Sequence, residues 1–376
     1  MEIQFILFKK VRCLLLGVLI IVFPTAGYTF QYKNLDLKIT GTVAEMYDDN
    51  LAFTKKDKQE DYITTLGLGL TTRYEGKRRS LGLSGRMNYR FNAKNEDIKN
   101  NSENATVSFN NSFSDYHNIG LRYSLSHSYT AESFEEELER TSGRSESSSH
   151  NLSFNYRMLL SERLSVNTRY SYSLRQSYEE NREDTSSDGF GIDVSYMAGS
   201  ATTFSSSYYY GRNNFDSEIH STVFGIKYDV TEISYFQGSI GWDSSYSGDA
   251  SNNNLNADIS FTNQIDENSV VSISYRRGER FNSEEGDVSS NWQFSGTLSR
   301  QMTKRLNSSL LLFYGEDSFV LSETTNALLG VNLSLAYDLW NDINTGLHYS
   351  YSELNSTEGM IGYVRNTVTF NFSYSF

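Results

Sequence analysis

The sequence predicts an all-β transmembrane protein, an antiparallel up-and-down β-barrel of about eighteen strands. Three observations lead there. Proline, which removes a ladder hydrogen bond from a central strand, occurs once in 376 residues, as Pro24, and cysteine once, as Cys13. Aromatic residues are abundant (27 Tyr, 23 Phe and 3 Trp), although hydrophobic residues make up only 38% of the chain. That supplies strand formers without the apolar mass of a large conventional core. Beyond residue 27, apolar and polar residues alternate with a period of two, the pattern of strands whose two faces meet different surroundings.

Residues 1–27 read as a cleaved secretory signal peptide, leaving 28–376 as the barrel domain. Lys9, Lys10 and Arg12 precede an apolar run of 11 residues, Cys13 to Phe23, and Thr25, Ala26 and Gly27 offer small residues for cleavage. The run is too short to cross a bilayer, and no later stretch reaches 18 consecutive apolar residues. Cys13 opens the run instead of following it, so a lipid anchor is not expected. Removing 1–27, with its three cations and Glu2, takes the net charge from −13 to −15.

The alternation defines each strand in turn. The first spans 37–47. In the second, 62–74, Tyr62, Thr64, Leu66, Leu68, Leu70, Thr72 and Tyr74 share one face, with Thr65, Gly67, Gly69, Thr71 and Arg73 on the other. In the third, 80–93, Leu81, Leu83, Met87, Tyr89 and Phe91 oppose Ser84, Arg86, Asn88, Arg90 and Asn92. The pattern continues through 104–114, 119–131, 149–160, 164–178, 189–198, 201–212, 219–229, 234–246 and 254–265. It ends with 269–280, 290–302, 306–316, 326–338, 343–354 and 363–376. About 19 residues per strand and connector suits tilted membrane strands.

Short connectors alternate with longer ones at 48–61, 94–103, 132–148, 179–188, 213–218, 247–253, 281–289, 317–325 and 355–362. Barrels of the outer membrane have short periplasmic turns and long external loops, so an even strand count with both termini periplasmic follows. A soluble sandwich gives no reason for that alternation. Tyr47, Tyr62, Tyr129, Tyr178, Tyr246 and Tyr314 fall at outer strand ends, and Tyr74, Tyr116, Tyr337 and Trp340 at inner ends, as two interfacial girdles. Closure leaves no edge, so only alternate side chains need be apolar.

The inward set is rich in Ser, Thr, Asn and Gly, with a basic cluster of Arg73, Arg86, Arg90, Arg122, Arg157, Arg169 and Arg175. Lys227 and Arg276 add to it, against Asp193, Asp243 and Asp258. Much of the negative charge lies in two loops. Residues 132–148 hold six Glu, among them Glu135, Glu136, Glu137 and Glu139, and 179–188 hold five acids, among them Glu179 and Glu180. The arginines either set up a field that attracts anionic solutes or pair with neighbouring acids and stiffen the wall. Loop 132–148 is expected to be solvated, although its place as third external loop is similar to that of the constricting loop of general porins. Inward Leu311, Phe313 and Leu328 mark either an apolar lumen patch or a slip in the register.

The C-terminal alternation Val368, Phe370, Phe372, Tyr374, Phe376 ends on an aromatic residue and resembles the assembly signal of bacterial outer-membrane proteins, with Phe372, Tyr374 and Phe376 read by the barrel assembly machinery. The chain as a whole resembles the β-barrel porin families of Gram-negative bacteria. Glu45, Met46, Tyr47, Asp48, Asp49 and Asn50 look like the Tyr-x-Asp-Asn element opening a family of barrels often associated with exopolysaccharide secretion. The resemblance implies localisation to the cell outer membrane, contact with its lipid and lipopolysaccharide, and a pore serving exopolysaccharide export with periplasmic polysaccharide-export proteins. A general diffusion porin for small solutes, anions among them, is the alternative, and a structural or adhesive barrel comes third. With about nine residues between cleavage and the first strand, no plug is expected.

Nothing points to catalysis, a cofactor or a metal site. The five histidines, His117, His127, His150, His220 and His348, are scattered, and with Ser so abundant a triad would have to be recognised by geometry. Acid runs such as Glu135 to Glu137 read as loop charge before they read as calcium ligands. The lack of cysteine after Cys13 excludes disulfide scaffolds and cysteine-based metal sites. The acidic balance excludes general nucleic-acid binding.

Overall fold

In the computed structural model the chain closes into a barrel. The structure describes residues 30–32, 34–98, 101–129, 133–140, 145–178, 182–248, 250–282, 287–320, 324–340, 342–357 and 362–375. The expected signal peptide lies outside them, as do Glu179, Glu180 and Phe376.

A three-residue arm, β1 (Phe30–Tyr32), precedes the barrel strands. These are β2 (Leu35–Asp48), β3 (Asp61–Glu75), β4 (Arg79–Asn92), β5 (Ser102–Ser112), β6 (His117–Ser128), β7 (Ser147–Leu159), β8 (Leu164–Ser177), β9 (Thr185–Met197) and β10 (Thr202–Asn213). They continue as β11 (Ser217–Thr231), β12 (Ser234–Ser247), β13 (Ala250–Asp266), β14 (Ser269–Phe281), β15 (Val288–Gln301), β16 (Leu306–Phe319), β17 (Thr325–Trp340), β18 (Ile343–Ser356) and β19 (Tyr363–Ser375). Each pairs antiparallel with its sequence neighbours, and β19 returns to β2 from Thr367↔Asp48 to Ser375↔Thr40, closing the ring. The eighteen strands expected from the alternation are β2–β19; β1 only folds back on β2, with Phe30 opposite Leu37.

The two faces separate as the period of two requires. Leu68 is 58% exposed and Phe370 54% on the outer surface, where a membrane would cover them. Several of the long connectors are shorter than expected, and two shrink to tight turns: only 214–216 separate β10 from β11, and 248–249 separate β12 from β13. The reason is that the strands outrun the apolar band. Polar residues such as Asn252 and Asn253 still pair in the ladder, opposite Ser245 and Ser244.

The apolar core lies inside the outer mouth. Phe53, Phe134, Leu138, Phe313, Leu328, Leu354 and Tyr363 are buried together, with Leu311 packed against them. Leu311, Phe313 and Leu328 therefore form a lumen patch in correct register, and what covers that patch comes from two loops.

Candidate functional site

The third external loop folds inward, correcting the expectation that residues 132–148 are solvated. Its middle forms a short helix, α1 (Phe134–Leu138), whose N-cap Ser133 accepts the Glu136 N–H at 3.1 Å. Phe134 and Leu138, one turn apart, fall on one face and dock on the patch of β16–β18. Each is almost fully buried, which is worth about 2 kcal/mol apiece. Asn326 Nδ2 then donates to the Leu138 and Arg140 carbonyls at 3.0 and 2.9 Å. The patch is shaped for this: a Cβ on Gly330 would stand 2.6 Å from Phe134 Cε2. Gly330→Ala is accordingly expected to displace α1 and make single-channel current noisier. Gly296→Ala, where a Cβ meets nothing within 4 Å, should leave the trace unchanged.

Acids expected on the outside hold this loop in place instead. Glu137 accepts the Tyr363 hydroxyl at 2.7 Å and lies 3.7 Å from Arg365. Glu139 pairs with Arg280 at 2.7 Å, and Arg280 reaches Asp317 at 2.8 Å. Glu135 and Glu136 remain exposed, Glu135 towards the pore. The first external loop joins in. Phe53, held at φ 56°, lies between two guanidinium groups, Arg140 at 3.9 Å and Arg365 at 4.4 Å from its ring centre.

The Asp48, Asp49, Asn50 element is part of the same construction. Asp48 is fully buried and receives Arg365 Nε at 3.2 Å and Nη2 at 2.8 Å. Asp49 accepts the Asn366 N–H at 2.7 Å and its side-chain amide at 2.8 Å. Asn50 Nδ2 donates to the Val364 carbonyl at 3.0 Å. At the outer end of the β2–β19 ladder, where the Asp49 N–H still reaches the Asn366 carbonyl at 3.1 Å, three consecutive side chains thus reinforce the backbone bonds and staple the first strand to the last.

The predicted wall arginines are placed as follows. Arg86, Arg122 and Arg157 are exposed on the polar parity of β4, β6 and β7 and make no ion pair among the described residues. Arg169 on β8 pairs with Asp193 at 3.0 Å, and Arg73 pairs with Glu75 at the inner end. Arg90 and Arg175 sit farther out, opposite Thr65 and Ser149. Beyond these, Arg276 pairs with Asp258 at 3.1 Å. A cavity of about 450 Å³ separates α1 from the β8–β15 wall, with Glu135 on one side and Arg169 and Arg276 on the other. Phe372 and Tyr374 lie on the closing strand, opposite Val43 and Gly41.

All five histidines present Nδ1 to a hydroxyl, at Tyr156, Ser148, Tyr123, Tyr208 and Ser334 in turn, within 2.7–2.9 Å. His127 also stands 3.5 Å from Glu146, which completes a serine, histidine and acid row. Ser148 is 7% exposed and laddered on both sides, to His127 and Gln176, so the backbone there offers no oxyanion hole. Among the described residues no three His, Cys, Asp or Glu side chains are grouped to hold a metal ion.

No protein-family model and no curated protein sequence matches the chain. Solved structures do. The chain is similar to Pseudomonas aeruginosa OpdQ at 10% identity and a TM-score of 0.53, over 92% of this chain and 99% of that one. It is also similar to Acinetobacter baumannii OccAB4 (12%, TM-score 0.50, 92% and 99%). A third is P. aeruginosa OccK2 (8%, TM-score 0.53, 91% and 98%). Identities this low speak to architecture alone. What they establish is that the chain has the fold of a Gram-negative outer-membrane β-barrel porin.

Proposed function

We propose that the protein is an outer-membrane channel for small hydrophilic solutes, favouring anions, and not an open conduit for a polymer. The docked α1 segment carries this reading. It fills part of a lumen that an eighteen-stranded ring would otherwise leave wide, and it sets exposed Glu135 across the passage from an arginine-bearing wall. Opposed charges in a narrow aqueous gap make a transverse field that sorts solutes by charge. Two solved structures of the same fold support the choice of solute: OpdK has been solved with vanillate and OccK2 in complex with glucuronate, both carboxylates.

The polysaccharide reading rested on the Tyr-x-Asp-Asn element, and here Asp48, Asp49 and Asn50 are engaged within the chain. Assembly through the barrel machinery and contact with lipopolysaccharide belong to the same proposal.

Charge reversal tests it. Arg86, Arg122 and Arg157 are exposed without an acidic partner, so changing all three to Glu should shift the reversal potential in a salt gradient from anion towards cation selectivity. A permeability ratio changed by about three-fold or more is expected. An unchanged ratio in a correctly folded triple variant would sink the anion preference.

A further inference from the structure

The barrel wall is not one continuous sheet at its outer end. β13 and β14 pair from Asp266↔Ser269 up to Ala257↔Arg277. Both continue as strand beyond that pair, β13 back to Ala250 and β14 on to Phe281. Among the ladders of the described strands, this is the one in which both partners run on from each other for four residues or more.

Side-chain contacts show where the two strands go. Asn254 shares the inward parity of β13 with Asn256 and Asp258, yet its Nδ2 donates to Glu279 Oε1 at 2.7 Å and Ser290 Oγ at 3.2 Å. Glu279 and Ser290 are on the outward parity of β14 and β15, as Arg277 and Trp292 are. Inward groups of one pair of strands touch outward groups of the next, so the tips of β14 and β15 pass inside the β12–β13 hairpin. The wall is lapped there. Gly278 is the step: a Cβ on it would lie 3.2 Å from both Asn256 Nδ2 and Asp243 Oδ2. Asp243, fully buried under the lap, accepts the Glu279 N–H at 2.8 Å and the Asn256 amide at 2.9 and 3.0 Å. Ser245, 2% exposed, lies beneath it too. The inner flap is held in by the Arg280 pairs to Glu139 of the third loop and to Asp317.

We propose that this lap joint is a side port, through which the headgroup of an amphiphile in the outer leaflet reaches the cavity. The joint starts at the height of lipid-facing Leu255 and Trp242, which are 40% and 63% exposed. Asp243, Asn256 and Glu279 line the same cavity as Arg169 and Arg276. An opening with apolar residues outside and paired charges inside accepts a molecule with its tail in lipid and its head in the lumen. Among the described residues each hydrogen bond across the joint has a side chain as at least one partner, whereas uninterrupted backbone ladders flank it, so it is the line along which the wall parts with least loss.

The probe is itself an amphiphile, a phospholipid with a maleimide on its headgroup, mixed into liposomes holding the full barrel. Ser245→Cys places a thiol under the lap, and the chain's single cysteine, Cys13, lies in the expected leader. The control is Ser352→Cys, 3% exposed on β18 behind intact ladders. A lipid–protein adduct should form at Ser245→Cys about ten-fold faster than at the control, as expected for a local opening that the intact wall does not share. Equal rates would overturn the port. Asn256→Cys is the second variant if Ser245→Cys does not assemble, with the same two outcomes.

Discussion

Deleting residues 134–140 is expected to raise single-channel conductance by at least about two-fold, and replacing Phe134 and Leu138 together with Ser should do most of the same. The argument is one of occupancy. α1 and the residues after it are held across the mouth by two buried apolar side chains, by the Asn326 amide on two carbonyls, and by the Glu137 and Glu139 contacts. Losing both apolar anchors removes about 4 kcal/mol of burial, taking about 2 for each. The polar contacts that remain are worth about 1 kcal/mol each and oppose the entropy of ordering the loop. The loop should then leave the wall, and the lumen should conduct as a wider pore. Planar-bilayer recordings at fixed salt check it, with heat-modified gel mobility as the test of folding. Conductance equal to that of the parent protein would mean that the docked loop does not limit the passage.

The alternation made the strands legible because the bilayer enforces it: one residue out of step puts a polar side chain into lipid. The same force makes no demand above the membrane, where the expected boundaries at 213–218 and 247–253 gave way to longer strands. The loop was misread for a related reason. Its Glu content matches solvated loops, and the two residues that decide its place, Phe134 and Leu138, are few among acids. A signal for it was present on the opposite wall, in inward Leu311, Phe313 and Leu328, which no water-filled lumen explains. The lap joint left a fainter mark. Arg277 and Glu279 put charges on the outward parity of β14, as a strand end above the membrane also would, and Gly278 records that one strand steps behind another.

The largest expected loss of stability is at the closing seam, and it was within reach of the sequence. In a closed barrel the first and last strands must pair, so an acid run ending β2 has to meet whatever sits opposite on β19, and that is Arg365 and Asn366. Asp48 is fully buried, and the Arg365 side chain is 14% exposed. Breaking a buried pair from one side leaves an uncompensated charge, at a cost of about 3–5 kcal/mol. Arg365→Met should therefore destabilise the barrel by that order, as should Asp48→Leu, which also strands the guanidinium between Phe53 and Glu137. The double variant should recover part of the loss, because neither charge then remains to be solvated. Urea unfolding in detergent or lipid, followed by the loss of heat-modifiable mobility, measures all three. If the single variants unfold at the same urea concentration as the parent, the staple contributes nothing to closure, and the β2–β19 ladder below it holds the ring by itself.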